Sequence, residues 1–441
     1  MVSIWEKTVT IPNREMLQGD YNTDVLVIGA GLAGILTAYK LQKHGRRVIV
    51  VDSGRIFGGQ SKNTTAKITS QHGLIYGKLA KQYGYKTAAL YAKANESAIA
   101  GYADIIKSED IKCHFENVPA YLYSRINDVV LKKENCIAEE LGIKSSFVTE
   151  TELPFEIKGA VRFAGQAQFN PLEFIKEIAS DLEIYENTEV KKVRGKCAFT
   201  NAGTIYAKKI VFASHFPFPV VPGFYFARQH QERSYVAAVK GVKNVNGMYY
   251  GIDKNSLSFR DYEDMVIISG EGRRTGENMC IKNADALKKK INRIFPGCEY
   301  TAVWSAQDVI THDGLPFIGR FSIFEPDWYV ITGAAKWGMT TMYTASDLIC
   351  DMICGKENQY SKLYTPMRFH LSAAYKNMFK DYAISTKEYI SGLCGEKKRC
   401  THMGCALHYN KSERVWECRC HGSRYDKDGI VIDNPATDDF S

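Results

Sequence analysis

The residues best equipped for chemistry in this 441-residue chain lie at its end. Residues 391–441 hold Cys394, Cys400, Cys405, Cys418 and Cys420, five of twelve cysteines, with His402, His408 and His421. Thiolates and neutral imidazoles are metal ligands, and in a reducing compartment their clustering points to a metal site before a disulfide scaffold. Two short runs carry them: Cys400-Thr-His402-Met-Gly-Cys405 and Cys418-Arg-Cys420-His421-Gly-Ser423. Two Cys and two His could hold a tetrahedral zinc. A C-x-H pair is, however, tighter than the ~2–4 residues between the cysteines of a zinc finger, and zinc leaves Cys405 and Cys420 without a task.

A second chemistry is written near the start. Gly29, Gly31 and Gly34 form G-x-G-x-x-G between a β-branched run at 24–28 and a segment, 32–44, with apolar residues at helical spacing. Gly45 stops that helix, and a second strand ends at Asp52. Gly29 permits a tight turn, Gly31 lets backbone approach a pyrophosphate, and Gly34 lets helix and strand pack closely. The helix N-terminus offers amide donors to phosphate, and Asp52 sits where an acid accepts ribose hydroxyls. Strand, glycines, helix, strand and acid in this order predict a dinucleotide site. No second such unit is present, since Gly270–Gly276 (GEGRRTG) has the wrong spacing, which argues against a pyridine-nucleotide reductase.

Cys400-x-His402 followed, after fifteen residues, by Cys418-x-x-His421 resembles the Rieske [2Fe-2S] family. The resemblance implies one cluster, with Cys400 and Cys418 on one iron and His402 and His421 on the other. Imidazole in place of thiolate raises the reduction potential above that of an all-cysteine cluster. It further implies a Cys405–Cys420 disulfide between the cluster loops, and hydroxyls of Ser423 and Tyr425 bonding cluster sulfurs.

The front of the chain resembles the D-amino-acid-oxidase-like flavoproteins. The resemblance rests on Asp52-Ser53-Gly54-Arg55 with Gly58-Gly59, on Asn63 to Thr69, on Trp304 with Asp313 to Gly319, and on Gly333 to Thr340. It implies FAD contacts at Gly29, Gly31, Leu32, Ala33, Gly34, Asp52, Ser53, Arg55, Gly59, Thr64, Thr65, Ala66, Val190, Gly333, Gly338, Met339 and Thr340. A helix N-terminus after Gly338 would stabilise the electron-rich edge of the reduced flavin. Neither Cys nor His stands near Thr64 or Ala306, so FAD is expected to be non-covalent. Thr340 stands where sarcosine-oxidase-like members place a base for a substrate carboxylate.

The expected fold class is α/β: a Rossmann-like FAD-binding domain (20–110, 155–220 and 311–370) and an antiparallel-sheet substrate domain (111–154 and 221–310). A linker (371–390) and a small Rieske subdomain (391–441), too short for a core of its own, would follow. Lys67, Lys336, Trp337 and Thr340 are the candidate catalytic groups, with Arg228, Arg233 and Tyr235 on the substrate side. Cys350 and Cys354 read as packed thiols, His72 reads either as a group approaching the flavin or as a structural helix cap, and Cys280 has no assigned role.

The composition is that of a globular protein, 45% hydrophobic and 24% charged, and the net charge of +8 is scattered. Nucleic acid is therefore not implied. No uncharged run reaches the ~20 residues of a membrane span without prolines, and no signal peptide is visible, so the expected location is cytoplasmic. The family's substrate class implies a dehydrogenase that oxidises a C–N bond of a small amine or amino acid. Electrons would leave singly through the cluster to a ferredoxin-like protein or a quinone. A ferredoxin-fed reductase, or a redox sensor or electron-transfer module, are the alternatives. A Rieske oxygenase would need a two-histidine, one-carboxylate iron site, and the only histidines close in sequence, His402 and His408, lie inside the cluster motif itself.

Overall fold

The computed structural model describes residues 1–277, 283–394 and 398–440; Cys280 lies outside the described residues. Strand β1 (Tyr21–Ile28) runs into helix α1 (Leu32–Lys43), which returns to β2 (Val48–Val51). Leu26, Val27, Ile49, Val50 and Val51 are completely buried, as a doubly covered parallel sheet requires. β1 lies between β2 and β3 (Gly203–Phe212), parallel to both, with Val25 opposite Val48 and Tyr21 opposite Ile205. The sheet has eight strands.

The second sheet also has eight strands. The long β4 (Gln229–Lys240) lies second from one edge, between the edge strand β6 (Glu299–Thr311) and β5 (Met265–Arg274), both antiparallel to it. One junction departs from the expected antiparallel pattern: Met248–Gly251 runs parallel to Ala120–Ser124. Gly159–Phe163, within a stretch expected in the dinucleotide-binding domain, pairs in this second sheet. The chain then returns through β7 (Trp328–Thr332), parallel to β3, and enters α2 (Gly338–Ile353).

The segment expected as a linker is helical. Helix α3 spans Leu371–Leu393, and its Asp381 is buried against the second sheet. The tail folds into four short antiparallel strands around Leu407, Tyr425, Ala436, Phe440 and four cysteines. That core is small, and the tail meets the body mainly through buried charges. Among the described residues no helix is long and apolar enough to cross a membrane.

Candidate functional site

The turn after β1 is built for close approach. Gly29 has φ of 110°, and an added Cβ would lie 2.6 Å from the Ala213 carbonyl oxygen. A Cβ on Gly34 would overlap the carbonyl of Gly29, which is why helix and strand need glycine there. Asp52 accepts hydrogen bonds from the backbone N–H of Ala30 at 2.8 Å and Gly54 at 2.9 Å, so it also clamps the turn. Burial raises its pKa. Ser61 accepts from the N–H of Leu32 at the start of α1 at 2.8 Å, a contact that no sequence motif announced.

A cleft of about 1480 Å³ opens from this turn to the second sheet. Gly29, Gly31, Leu32, Ala33, Asp52, Ser53, Arg55, Gly59, Thr64, Thr65, Val190, Gly333, Gly338 and Met339 all line it, as do Lys67, Lys336 and Trp337. Gly34, Ala66 and Thr340 do not. Gly34 is enclosed between strand and helix, and Ala66 is fully buried with its carbonyl accepting from Arg260. Thr340 is 1% exposed and donates to the Thr69 carbonyl at 3.1 Å, which corrects its reading as a group that meets reactants. Two indoles fix the segment at Asn63 and Thr64: Trp304 donates to the Asn63 carbonyl at 2.9 Å and Trp5 to that of Thr64 at 2.7 Å.

The charges on the sheet side of the cleft have distinct environments. Lys67 bonds the Ser258 hydroxyl and forms no ion pair among the described residues; burial, then nearby Arg260, bring its pKa down to about 7. Lys336 pairs with Glu232 at 2.8 Å. Asp308 is pushed up to about 6 by burial. His72 stacks on Trp337 with centroids 4.7 Å apart, bonds the Tyr91 hydroxyl and the Thr69 carbonyl, and is held at about 3 by burial. Arg55 is the one arginine among the described lining residues.

The tail converges as two pairs. The Cys400 thiol lies against that of Cys418, and the Tyr425 hydroxyl donates to Cys400 Sγ at 3.2 Å. Ser423 Oγ accepts from the N–H of Ala436 at 3.1 Å and also lies against Cys400. His402 and His421 stand with centroids 5.0 Å apart and rings nearly perpendicular, both flanked by Phe226. Their Nδ1 atoms are buried and have no hydrogen-bond partner among the described residues. Burial lowers both imidazole pKa values, that of His402 to about 4, so both are neutral donors. Two orphaned imidazole nitrogens beside buried thiols fit a two-thiolate, two-imidazole cluster, since an unsatisfied buried polar atom is otherwise costly. Cys405 and Cys420 are unbonded thiols that lie with Cys418 within 4.8 Å of one another.

The substrate-side expectation for Arg233 and Tyr235 is overturned by where β4 points them. Gln231, Arg233 and Tyr235 alternate onto the face that meets the tail, while Ser234 and Val236 line the cleft. Arg233, 1% exposed, pairs with Glu413 at 2.5 Å, and Tyr235 donates to the same carboxylate at 2.8 Å. Arg273 reaches Glu417, and Arg424 reaches Glu413, Glu417 and Asp433. Burial works against Glu413, but Arg233 and Arg424 hold it down to about 2. Arg228 donates to the Arg368 carbonyl and stacks on Phe317, away from the cleft. Asp381 accepts from Arg274 and sits 2.7 Å from both His230 and His312. A glutamine bridge joins the two sites: Gln307, on the cleft, donates to Gln231 and to the Gly422 carbonyl, and Gln231 donates to the His421 carbonyl at 2.9 Å.

Fold and sites together define a flavin-dependent oxidoreductase with an iron–sulfur tail, and the chain belongs to the FAD dependent oxidoreductase (DAO) family, whose model matches residues 24–352. The Rieske [2Fe-2S] domain model matches residues 392–440, so the cofactors are FAD and a [2Fe-2S] cluster. YhfW of Bacillus subtilis (strain 168), named for a Rieske 2Fe-2S centre, is 33% identical over 98% of this chain and 95% of its own length. The cytochrome b6-f complex iron-sulfur subunit of Synechococcus elongatus is 51% identical over 12% of this chain and 31% of its own. Glycine oxidase from Geobacillus kaustophilus shares the fold with a TM-score of 0.67 at 17% identity, covering 79% of this chain and 99% of its own. L-proline dehydrogenase from P. horikoshii does so with a TM-score of 0.65 at 16% identity, covering 81% and 99%.

Proposed function

We propose that this protein is a dehydrogenase that oxidises a C–N bond of a small amine or amino acid and passes the electrons singly to an external acceptor, a ferredoxin-like protein or a quinone. When bound, the flavin supplies two-electron acceptance and the cluster one-electron transfer. The observation that carries this reading is the glutamine bridge: the cleft-lining Gln307 bonds the cluster loop directly and, through Gln231, reaches His421. A cluster seated this way serves the cleft without a moving subdomain.

The chain's own groups suit an amine. An ammonium must lose a proton before its C–N bond can be oxidised. Lys67 Nζ, with its pKa near 7 in a buried position, is available as the acceptor of that proton. Trp337 and His72 supply a neutral aromatic wall, and the Glu232–Lys336 pair neutralises its own charge. Glycine oxidase and L-proline dehydrogenase are named for amino-acid substrates, which supports the class.

The test is anaerobic addition of an amine and amino-acid panel to the full-length, cofactor-loaded protein. Bleaching of the flavin absorption followed by cluster reduction is expected with at least one compound. Bleaching only by a reduced ferredoxin would establish the reductase alternative instead, and no response to either would leave the sensor.

A further inference from the structure

We propose that residues 430–439 of the iron–sulfur subdomain are part of the FAD site, so that retention of FAD and seating of the subdomain form one linked equilibrium. Residues 430–434 and 436–439 line the same cleft as Gly29, Asp52 and Gly333. They do so at the phosphate turn, as their anchors show. Asn434 Nδ2 donates to the Ser214 carbonyl at 2.7 Å and to that of Phe216 at 2.8 Å, directly after Ala213, against which Gly29 packs. Asp433 accepts from Gln60 Nε2 at 3.1 Å, and the next residue, Ser61, receives the first amide of α1.

Between those anchors lies His215. It lines the cleft, has φ of 67°, and its Nε2 is buried with no hydrogen-bond partner among the described residues. The backbone on either side of it is what Asn434 grips. A polar atom left unsatisfied beside a dinucleotide cleft is a natural contact for the bound group. The same Asn434 carbonyl accepts from Gln231 Nε2 at 2.9 Å, the amide that also bonds the His421 carbonyl. One asparagine thus joins the cleft wall to the cluster loop. A ligand that binds only the closed arrangement stabilises it, and by reciprocity the seated subdomain slows release of that ligand.

The test uses full-length protein loaded with FAD and cluster. In Asn434→Ala, FAD release, followed by the rise of free-flavin fluorescence on dilution, should be roughly tenfold faster, the equivalent of ~1.4 kcal/mol, while bound iron and the cluster's visible circular dichroism stay as in the parent. Gln60→Ala, which cuts the anchor from the other side, should act in the same direction. Hydrogen exchange on the unmodified chain needs no variant: amides of 430–439 should exchange more slowly with FAD bound than after its removal. Exchange there that ignores FAD overturns the proposal, whatever the variants do. So does unchanged FAD release from both variants.

Discussion

The two redox sites are held by opposite means. Around the dinucleotide turn the backbone does the holding: glycines admit close approach, Asp52 and Ser61 fix the Ala30 and Leu32 amides, and the surrounding core is apolar. Between the iron–sulfur subdomain and the second sheet the contact is a desolvated charge network of Arg233, Arg273, Arg424, Glu413, Glu417 and Asp433. A backbone-built site tolerates side-chain change around it but not steric intrusion. A buried ion-pair network tolerates neither loss of a partner nor a shift of register, because a charge left alone in the interior has nowhere to go. The difference matters for a subdomain with a small core: its position is fixed by pairing geometry, not by apolar area.

The most severe way to break the comparison is to intrude on the turn. Gly34→Val places side-chain atoms on the Gly29 carbonyl, and the purified variant should retain no FAD while iron remains in its tail. Arg233→Ala attacks the other region. It leaves Glu413 and Glu417 short of a partner and should cost about 3–5 kcal/mol in urea unfolding followed by cluster circular dichroism. A loss below about 1 kcal/mol would mean the network is solvated and the contrast does not hold.

Legibility in the sequence follows the same divide. The glycine spacing and Asp52 could be read because backbone geometry dictates residue type locally. Cys400, His402, Cys418 and His421 could be singled out, and the structure draws them into two pairs, because their spacing within two short runs is local too. The docking charges could not. Arg233 and Glu413 are 180 residues apart, and an arginine in a strand reads equally as a solvated or substrate-facing group. Only the strand's phase against its neighbours decides. The lysine-rich stretch of helix α3 looks helical in the sequence, but its docking could not be read, because the buried Asp381 looks like any other acid in the string. Thr340 sat inside a matching motif, yet the side chain turns to the Thr69 carbonyl.

Acid acts on the body through a buried histidine. His72 is held at about 3 in the folded protein, against 6.5 when free, because burial disfavours its cation. Between those values the unfolded chain binds the proton and the folded chain does not. Stability is therefore full above pH 6.5 and falls as pH drops toward 3. His72→Gln should flatten that limb of the pH–stability curve for the body, leaving the cluster's own signal unmoved.

The smallest effect expected tests the cluster side alone. Tyr425 is fully buried, and its hydroxyl meets Cys400 Sγ at 3.2 Å while the Thr401 N–H donates to the same oxygen at 3.0 Å. The ring packs on Phe440 and need not move when the hydroxyl is removed. Tyr425→Phe thus deletes the hydrogen bond to the Cys400 sulfur, together with the acceptor of the Thr401 N–H, while the ring keeps its packing. A donor to sulfur favours the more negative, reduced state, so its loss should lower the potential. One bond of ~1 kcal/mol corresponds to roughly 40 mV for a one-electron couple, which potentiometric titration of the full-length variant resolves. A fall of that size with unchanged FAD release would separate tuning of the cluster from seating of its subdomain. An unchanged potential would assign the tyrosine to packing and leave Ser423 as the hydroxyl that sets the couple.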